Sequence, residues 1–488
     1  MGNITEPYAK HALQFPTKIA LQTQEEKITY HEWANLINKT ARWLDSFSDK
    51  HKTLGIYLPN GIPFLQFFSG AAAAGWIAVL FDQRWNPIEI ERRFAISRPS
   101  LFITSSILRE KVKHLCTNII MVEDCIEEIL SFNEIQPKKI NGNLPFYMGF
   151  TSGTTGEPKA FIRAHESWIA SFQCNSFDLQ MNEQERVLIP GSLIHSHFLY
   201  GAISTLYLGG TVSLLKKFTS KQALSIIQAQ SITIMFVVPT MIHAFLKEDI
   251  TISQPIKLIS SGAKWEDRSK ELIHKKFLQL TSFEFYGASE LSFVTVLSQN
   301  ENLLKPGSVG KPCYGVELQI RRNNLELANP FDIGKIFIRS NMLFLGYLQH
   351  QLPTIHSIVD SNGWVTVDDM GYLDQDGYLY IVGREKNMIL YGGINLFPEE
   401  IEKVISAHEK VEEVAVIGLQ DEYWGQIACA VIIGNVTKRE LIRYCKGALS
   451  SYKIPRKWVF VDKMPYTISG KIARAQLKEQ LEREVMSH

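Results

Sequence analysis

From residue 30 to residue 260 the chain switches repeatedly between two hydrophobic periods, and few folds accept that pattern. Trp33, Leu36, Ile37, Ala41 and Leu44 form a stripe at helical spacing. The apolar runs 54–58, 77–81, 101–104 and 119–122 read as buried strands, the first closed by Pro59-Asn60-Gly61. Residues 64–76 read as a helix. The runs 187–189, 211–215, 233–237 and 257–260 repeat the theme, with helical segments between them. Strands separated by helices predict mostly parallel sheets covered by helices.

The texture changes at 310–385. Gly, Asp and Asn turns separate short runs at 317–320, 334–338, 363–367 and 378–382, which predicts a small antiparallel unit. A second α/β pattern follows. Pro398-Glu399-Glu400 opens a helix with Pro in the first turn, 411–419 and 458–461 read as strands, and 439–449 reads as a helix. A chain of 488 residues exceeds one ordinary core, and the domain boundary is expected at 384–387.

A formal net charge of +1 provides no basic excess to draw the chain onto nucleic acid or an anionic membrane. The six cysteines (Cys116, Cys125, Cys174, Cys313, Cys429, Cys445) lie far apart, without metal-ligand spacing, and are expected to be reduced. The N-terminus lacks a basic start followed by an apolar stretch. The most apolar segment, 64–81, contains Gln66, Ser69, Gly70 and Gly75, and reads as a buried helix running into a strand rather than a membrane span. These features predict a cytoplasmic protein.

The run Thr151-Ser152-Gly153-Thr154-Thr155-Gly156-Glu157-Pro158-Lys159 carries the strongest chemical signal. Its hydroxyls and glycines let backbone N–H and side-chain O–H groups converge on an anion, and Lys159 adds a cation. The pattern suits a phosphate loop, and a plain solvated turn is the bland alternative. It is not a Walker A loop, because no Lys follows Gly156.

Together with other segments, this run resembles the signature of the adenylate-forming superfamily, which includes acyl-CoA synthetases, luciferases and the adenylation domains of peptide synthetases. His11 to Leu21 with Ile28-Thr29-Tyr30 resembles the family's opening. Tyr286-Gly287-Ala288-Ser289-Glu290 resembles its Tyr-Gly-x-Thr-Glu motif. Asp369-Met370-Gly371-Tyr372 and Gly383-Arg384-Glu385-Lys386 resemble the ribose and hinge motifs, and Ser469-Gly470-Lys471-Ile472 the catalytic-lysine motif. Tyr391-Gly392-Gly393-Ile394-Asn395 resembles the acyl-CoA synthetase branch in particular.

The resemblance implies an α/β fold. A large N-terminal domain (1–384) would hold two α/β-sheet subdomains and a small β-barrel-like subdomain, hinged to a small α+β C-terminal domain (387–488). It implies an enzyme using ATP, Mg²⁺ and coenzyme A. Thr151, Ser152, Thr154, Thr155 and Lys159, with Gly153 and Gly156, would handle the phosphates. Ser261, Gly262 and Ala263 would run along the adenine, with Tyr286 stacked on it and Gly287 beside it. Ser289 would bond the α-phosphate and Glu290 would hold Mg²⁺. Asp369 and Arg384 would hold the ribose, and Lys471 would reach the carboxylate and α-phosphate. Lys386 would be the hinge, and Gly392 and Gly393 would line the pantetheine channel.

For the acid, His195, Phe198, Phe236 and Trp265 are the candidate pocket residues. The family's amino-acid-activating members carry an Asp where His195 stands, which disfavours an α-amino acid. A fatty or other apolar acid is the leading expectation, and an aryl or o-succinylbenzoate-type acid the next. A carrier protein is the alternative thiol acceptor. A luciferase-like oxidase and a non-catalytic nucleotide-binding scaffold are rival classes. The residues do not specify an oligomeric state.

Overall fold

Local signals set the first elements. Thr29 accepts a hydrogen bond from the Glu32 N–H, and the Glu32 carboxylate accepts from the Thr29 N–H at 2.8 Å, so a capping box starts the helix Tyr30–Asp45. Its stripe residues Trp33, Ile37 and Leu44 are buried. The helix Ile62–Ala74 has Pro63 in its first turn and ends at Gly75 with φ of +73°. It is buried along most of its length and leads into the strand Ile77–Leu80. No helix among the described residues is long and apolar enough to cross a membrane.

The computed structural model describes residues 2–48, 51–115, 118–133, 138–152, 158–262, 265–349, 354–392, 394–466 and 472–486. Contacts divide the chain into two units, Met1–Leu318 with Ile338–Trp364, and Gln319–Phe337 with Val365–His488.

The first unit is built on two large sheets. In the nine-stranded sheet, Ile256–Ser260, Ile234–Val237, Arg186–Ile189 and Thr211–Leu214 pair in parallel, in that order. Leu280–Ala288 joins Ile256–Ser260 in parallel, and Ser292–Ser298 then pairs antiparallel to it. In the eight-stranded sheet, Thr53–Tyr57, Ile77–Leu80 and Leu101–Thr104 are parallel, as expected. The strand Pro145–Ser152 joins Ile77–Leu80 in parallel, then turns back as the antiparallel strand Pro158–Ala164. Gly346–Leu348 adds to the outer side of Pro158–Ala164.

The second unit has a four-stranded sheet, Glu317–Arg321, Gly334–Arg339, Asp369–Leu373 and Leu379–Arg384. It also has a sheet centred on the long hairpin Val411–Asp421 and Gly425–Gly434, with Lys457–Phe460 parallel to the latter. The helix Pro398–Ser406 begins at its proline. One expectation fails: 363–367 is not a strand. The Asp360 carboxylate accepts from the N–H groups of Asn362 and Trp364, and Gly363 has φ of +81°, so the backbone turns there and pairing begins at Asp369.

Aromatic packing ties the eight-stranded sheet to its helices. Phe68 is fully buried, with ring centroids 5.9 Å from Phe146, 5.7 Å from Tyr147 and 6.2 Å from Trp168. Phe68→Ala is expected to cost about 3–5 kcal/mol of unfolding free energy, read from urea denaturation.

Candidate active site

The hairpin places the phosphate-loop candidates. Pairing of Thr151 with Lys159 and of Ser152 with Pro158 holds the two ends of the run in register. Gly153, Thr154, Thr155 and Gly156 lie outside the described residues. Lys159 is exposed, and its Nζ sits 5.3 Å from the centroid of the Tyr347 ring.

Tyr347 connects this hairpin to the acidic motif. It lies on Gly346–Leu348, opposite Phe161, and its hydroxyl donates to Glu290 Oε1 at 2.6 Å. Glu290 is 8% exposed and stands in the turn between Leu280–Ala288 and Ser292–Ser298. Two features shape that turn. A Cβ on Gly287 would lie 2.0 Å from the Ser292 carbonyl oxygen, so only glycine fits. Ser292 adopts φ of +61°, a left-handed conformation that costs a non-glycine residue roughly 1 kcal/mol or more. The Glu290 carbonyl accepts from Phe344 N–H at 2.9 Å.

The adenine-loop candidates are adjacent. Ser261 Oγ donates to the Phe285 carbonyl at 3.1 Å, next to the half-buried Tyr286, and Gly262 is exposed with φ of +90°. Ala263 lies outside the described residues. Trp265 is 1% exposed, and its backbone N–H donates to Glu284 Oε2 at 3.3 Å.

The pocket candidates form an aromatic set. Phe198 packs so closely on Gly191 that a Cβ there would lie 2.1 Å from its ring. Phe236 is fully buried, its ring 5.3 Å from that of His197. His197 donates from Nε2 to the Val237 carbonyl at 2.9 Å, which places the proton on that nitrogen, and burial lowers its pKa to about 4. His195 pairs its Nε2 with Arg84 at 2.9 Å and so serves as a neutral acceptor. Burial, and then the Arg84 charge, lower its pKa. Arg84 is itself held by the buried Asp82 carboxylate at 2.6 Å.

In the second unit, Asp369 and Arg384 are cross-strand partners, with Arg384 Nε donating to Asp369 Oδ1 at 2.9 Å. Asp369 is buried, whereas Asp368 is exposed and meets Lys335 at 3.5 Å. Lys386 lies exposed in the short turn Glu385–Asn387, which Asn387 ties to Glu399 at 3.0 Å. Gly392 has φ of +54°, and a Cβ would lie 2.8 Å from the Trp424 ring. Trp424 stacks on Tyr391 at 4.5 Å. Gly393 and Lys471 lie outside the described residues.

Sequence reasoning missed three participants: Tyr347, Arg84 and Arg163. Arg163 is fully buried and donates to the carbonyls of Ser289 and Met342. A lone arginine inside the apolar strand Phe161-Ile162-Arg163-Ala164 was the available signal, because an arginine is rarely buried without dedicated partners.

Residues 8–348 match the family described as AMP-binding enzyme, and residues 400–471 match its C-terminal domain. The chain belongs to the AMP-binding enzyme family. Within this adenylate-forming family it is 46% identical to an uncharacterized acyl–CoA ligase of Bacillus subtilis, over 99% of each chain. It is 30% identical to a putative long chain fatty acid–CoA ligase of Staphylococcus epidermidis, over 98% of this chain and 99% of the relative. The fold matches Bacillus subtilis o-succinylbenzoate CoA synthetase bound to its acyl-adenylate intermediate, with a TM-score of 0.89 and 27% identity over 98% of each chain. The same synthetase in complex with ATP and a magnesium ion matches with a TM-score of 0.87, at 27% identity over 98% of this chain and 99% of that one.

The family's magnesium is compatible with the residues present. Among the described residues no cluster of three or more His, Cys, Asp or Glu side chains could hold a metal. A single carboxylate suits Mg²⁺, which takes most of its ligands from phosphates and water. Tyr347 occupies Glu290 Oε1, and no described residue bonds Oε2.

The buried His197 has a measurable consequence. At neutral pH it is uncharged in both the folded and unfolded chains and adds nothing to the pH dependence of stability. Below about pH 6.5 the unfolded chain takes up a proton that the folded chain refuses until about pH 4, so stability falls across that window. His197→Gln is expected to remove this part of the acid sensitivity, on the order of 2–3 kcal/mol. The check is urea unfolding of both proteins at about pH 7 and about pH 4.5.

Proposed function

We propose that this chain joins a carboxylic acid to ATP as an acyl-adenylate and then transfers the acyl group to coenzyme A. The observation that carries the reading is the Tyr347 hydroxyl bond to Glu290, with Lys159 over the Tyr347 ring. An exposed cation at the end of the candidate loop and a buried carboxylate thus meet the same aromatic side chain.

In the first step a carboxylate oxygen attacks the α-phosphorus, and the bond to pyrophosphate breaks. Two anions must approach, so the charge between them has to be offset. Lys159 and the loop hydroxyls hold the β- and γ-phosphates, and Ser289 bonds the α-phosphate. Glu290 would hold Mg²⁺, which would supply charge neutralisation to the phosphates. Tyr286 offers an aromatic face to the adenine. Asp369, oriented by Arg384, accepts from the ribose hydroxyls. Lys471 neutralises charge on the acid and α-phosphate. In the second step the thiolate of coenzyme A attacks the acyl carbonyl and AMP leaves. Lys471 must then withdraw, so residues 387–488 turn relative to 1–384 about Lys386. Gly392 and Gly393 admit the pantetheine because they carry no side chain.

A fatty or other apolar acid is the leading substrate. Phe198, Phe236 and Phe293 are buried and apolar, and a neutral His195 offers no anion to a substrate ammonium group. A second reading, an aryl or o-succinylbenzoate-type acid, is favoured by Arg84, which sets a guanidinium beside His195. A carrier protein's phosphopantetheine is the alternative acceptor, and the cytoplasm, where coenzyme A is available, is the proposed location.

The deciding experiment is pyrophosphate exchange with ATP across fatty, aryl and succinylbenzoate acids, followed by trapping with coenzyme A or a loaded carrier. Exchange with an apolar acid and an acyl-CoA product are expected. Exchange with no acid, or transfer only to a carrier, would overturn the reading. Lys471→Ala is expected to lower adenylate formation by about 10²-fold or more while leaving thioester formation from supplied acyl-adenylate largely intact. Equal loss in both half-reactions would remove the assigned role. Glu290→Ala is expected to raise the Mg²⁺ requirement for exchange.

A further inference from the structure

We propose that Arg163 is a positioning residue for Glu290, clamping the turn that presents this carboxylate to magnesium-bound ATP. The inference rests on the assignment of Glu290 to the metal. Arg163 is 1% exposed and points inward from Pro158–Ala164. Its guanidinium makes four hydrogen bonds. Nε donates to Ser167 Oγ at 3.2 Å, and one terminal nitrogen donates to the Ser289 carbonyl at 2.9 Å. The other donates to Ser292 Oγ and to the Met342 carbonyl, both at 2.6 Å.

These acceptors surround Glu290. Ser289 immediately precedes it. Ser292 closes the same turn in its left-handed conformation. Met342 lies two residues before Phe344, whose N–H bonds the Glu290 carbonyl. The arginine therefore fixes the backbone on both sides of the carboxylate, while Tyr347 fixes one of its oxygens.

Economy of packing points the same way. No described carboxylate lies within ion-pair distance of Arg163, so its buried charge is met by carbonyls, hydroxyls and the more distant Glu290. Burial lowers the guanidinium pKa to about 10, and attraction to Glu290 opposes the fall, so the cation persists at neutral pH. An apolar side chain of similar volume would often fold at least as stably in such a position. A buried cation that spends its fork on the turn of an acidic residue is explained by the orientation it imposes.

The test uses the full-length protein with Mn²⁺ in place of Mg²⁺. Bound Mn²⁺ is measured by electron paramagnetic resonance at fixed ATP, beside the Mg²⁺ dependence of pyrophosphate exchange. Arg163→Met, which keeps bulk but loses charge and donors, is expected to weaken Mn²⁺–ATP binding about 10–100-fold. Arg163→Lys, which keeps the charge and loses the fork, should recover part of that loss. Ser292→Ala, which removes one bond and spares the fold, should weaken binding several-fold. Thioester formation from supplied acyl-adenylate should fall less than Mn²⁺–ATP binding in all three, since it needs no metal. Unchanged Mn²⁺–ATP binding in Arg163→Met would overturn the proposal. If that variant does not fold, unchanged binding in Ser292→Ala does so instead. Glu290→Ala separates the layers. If it leaves Mn²⁺–ATP binding intact, the assignment of Glu290 itself fails. If it abolishes binding while Arg163→Met does not, only the role of Arg163 fails.

Discussion

One strand face organises the candidate site in the first unit. In Pro158–Ala164, period-2 alternation puts Lys159, Phe161 and Arg163 on the same side of the sheet. Antiparallel register adds Tyr347 opposite Phe161 on one edge and Tyr147 opposite Arg163 on the other. The result is a row with an exposed cation at the loop end, aromatic rings in the middle and a buried cation inside. The Glu290 turn lies against this row, bonded by Tyr347 through its side chain and, through the neighbouring Ser289 and Ser292, by Arg163. Without that pairing the motif residues would have no common frame.

The electrostatics of the row follow from its depth. Lys159 is exposed and keeps its charge in contact with water. Arg163 is sealed in and has its donors committed to protein acceptors, so it acts on the site through geometry and a fixed field. Comparable functional groups at different depths thus do different work. The same holds for the histidines: burial keeps His197 neutral, and the Arg84 contact makes His195 an acceptor.

Much of the fold was legible in the chain. The runs at 54–58, 77–81, 187–189 and 257–260 became central strands because each is short and largely apolar, and the first two lead into helices with a proline in the first turn. The run at 363–367 failed because the Asp360 carboxylate takes the backbone donors a strand would need, a competition that hydrophobicity does not record. The motif segments pointed to Tyr286, Glu290, Asp369 and Arg384 as candidates. What they could not show was support across long sequence separations. Tyr347 reaches Glu290 across 57 positions and Arg163 reaches Ser289 across 126, and nothing local predicts either bond. Trp265, a pocket candidate like Phe198 and Phe236, is buried among the core residues with them.

The cross-strand match of Thr151 with Lys159 also limits how the run 151–159 can diverge. Both ends of the run are nailed to a ladder that continues inward through Gly149 and Phe161. Sliding one strand by a single position would turn Lys159, Phe161 and Arg163 to the opposite face together. An inserted or deleted residue that shifted the ladder would displace three side chains at once. The constraint on the paired residues is thus one of register, whatever side chains they carry.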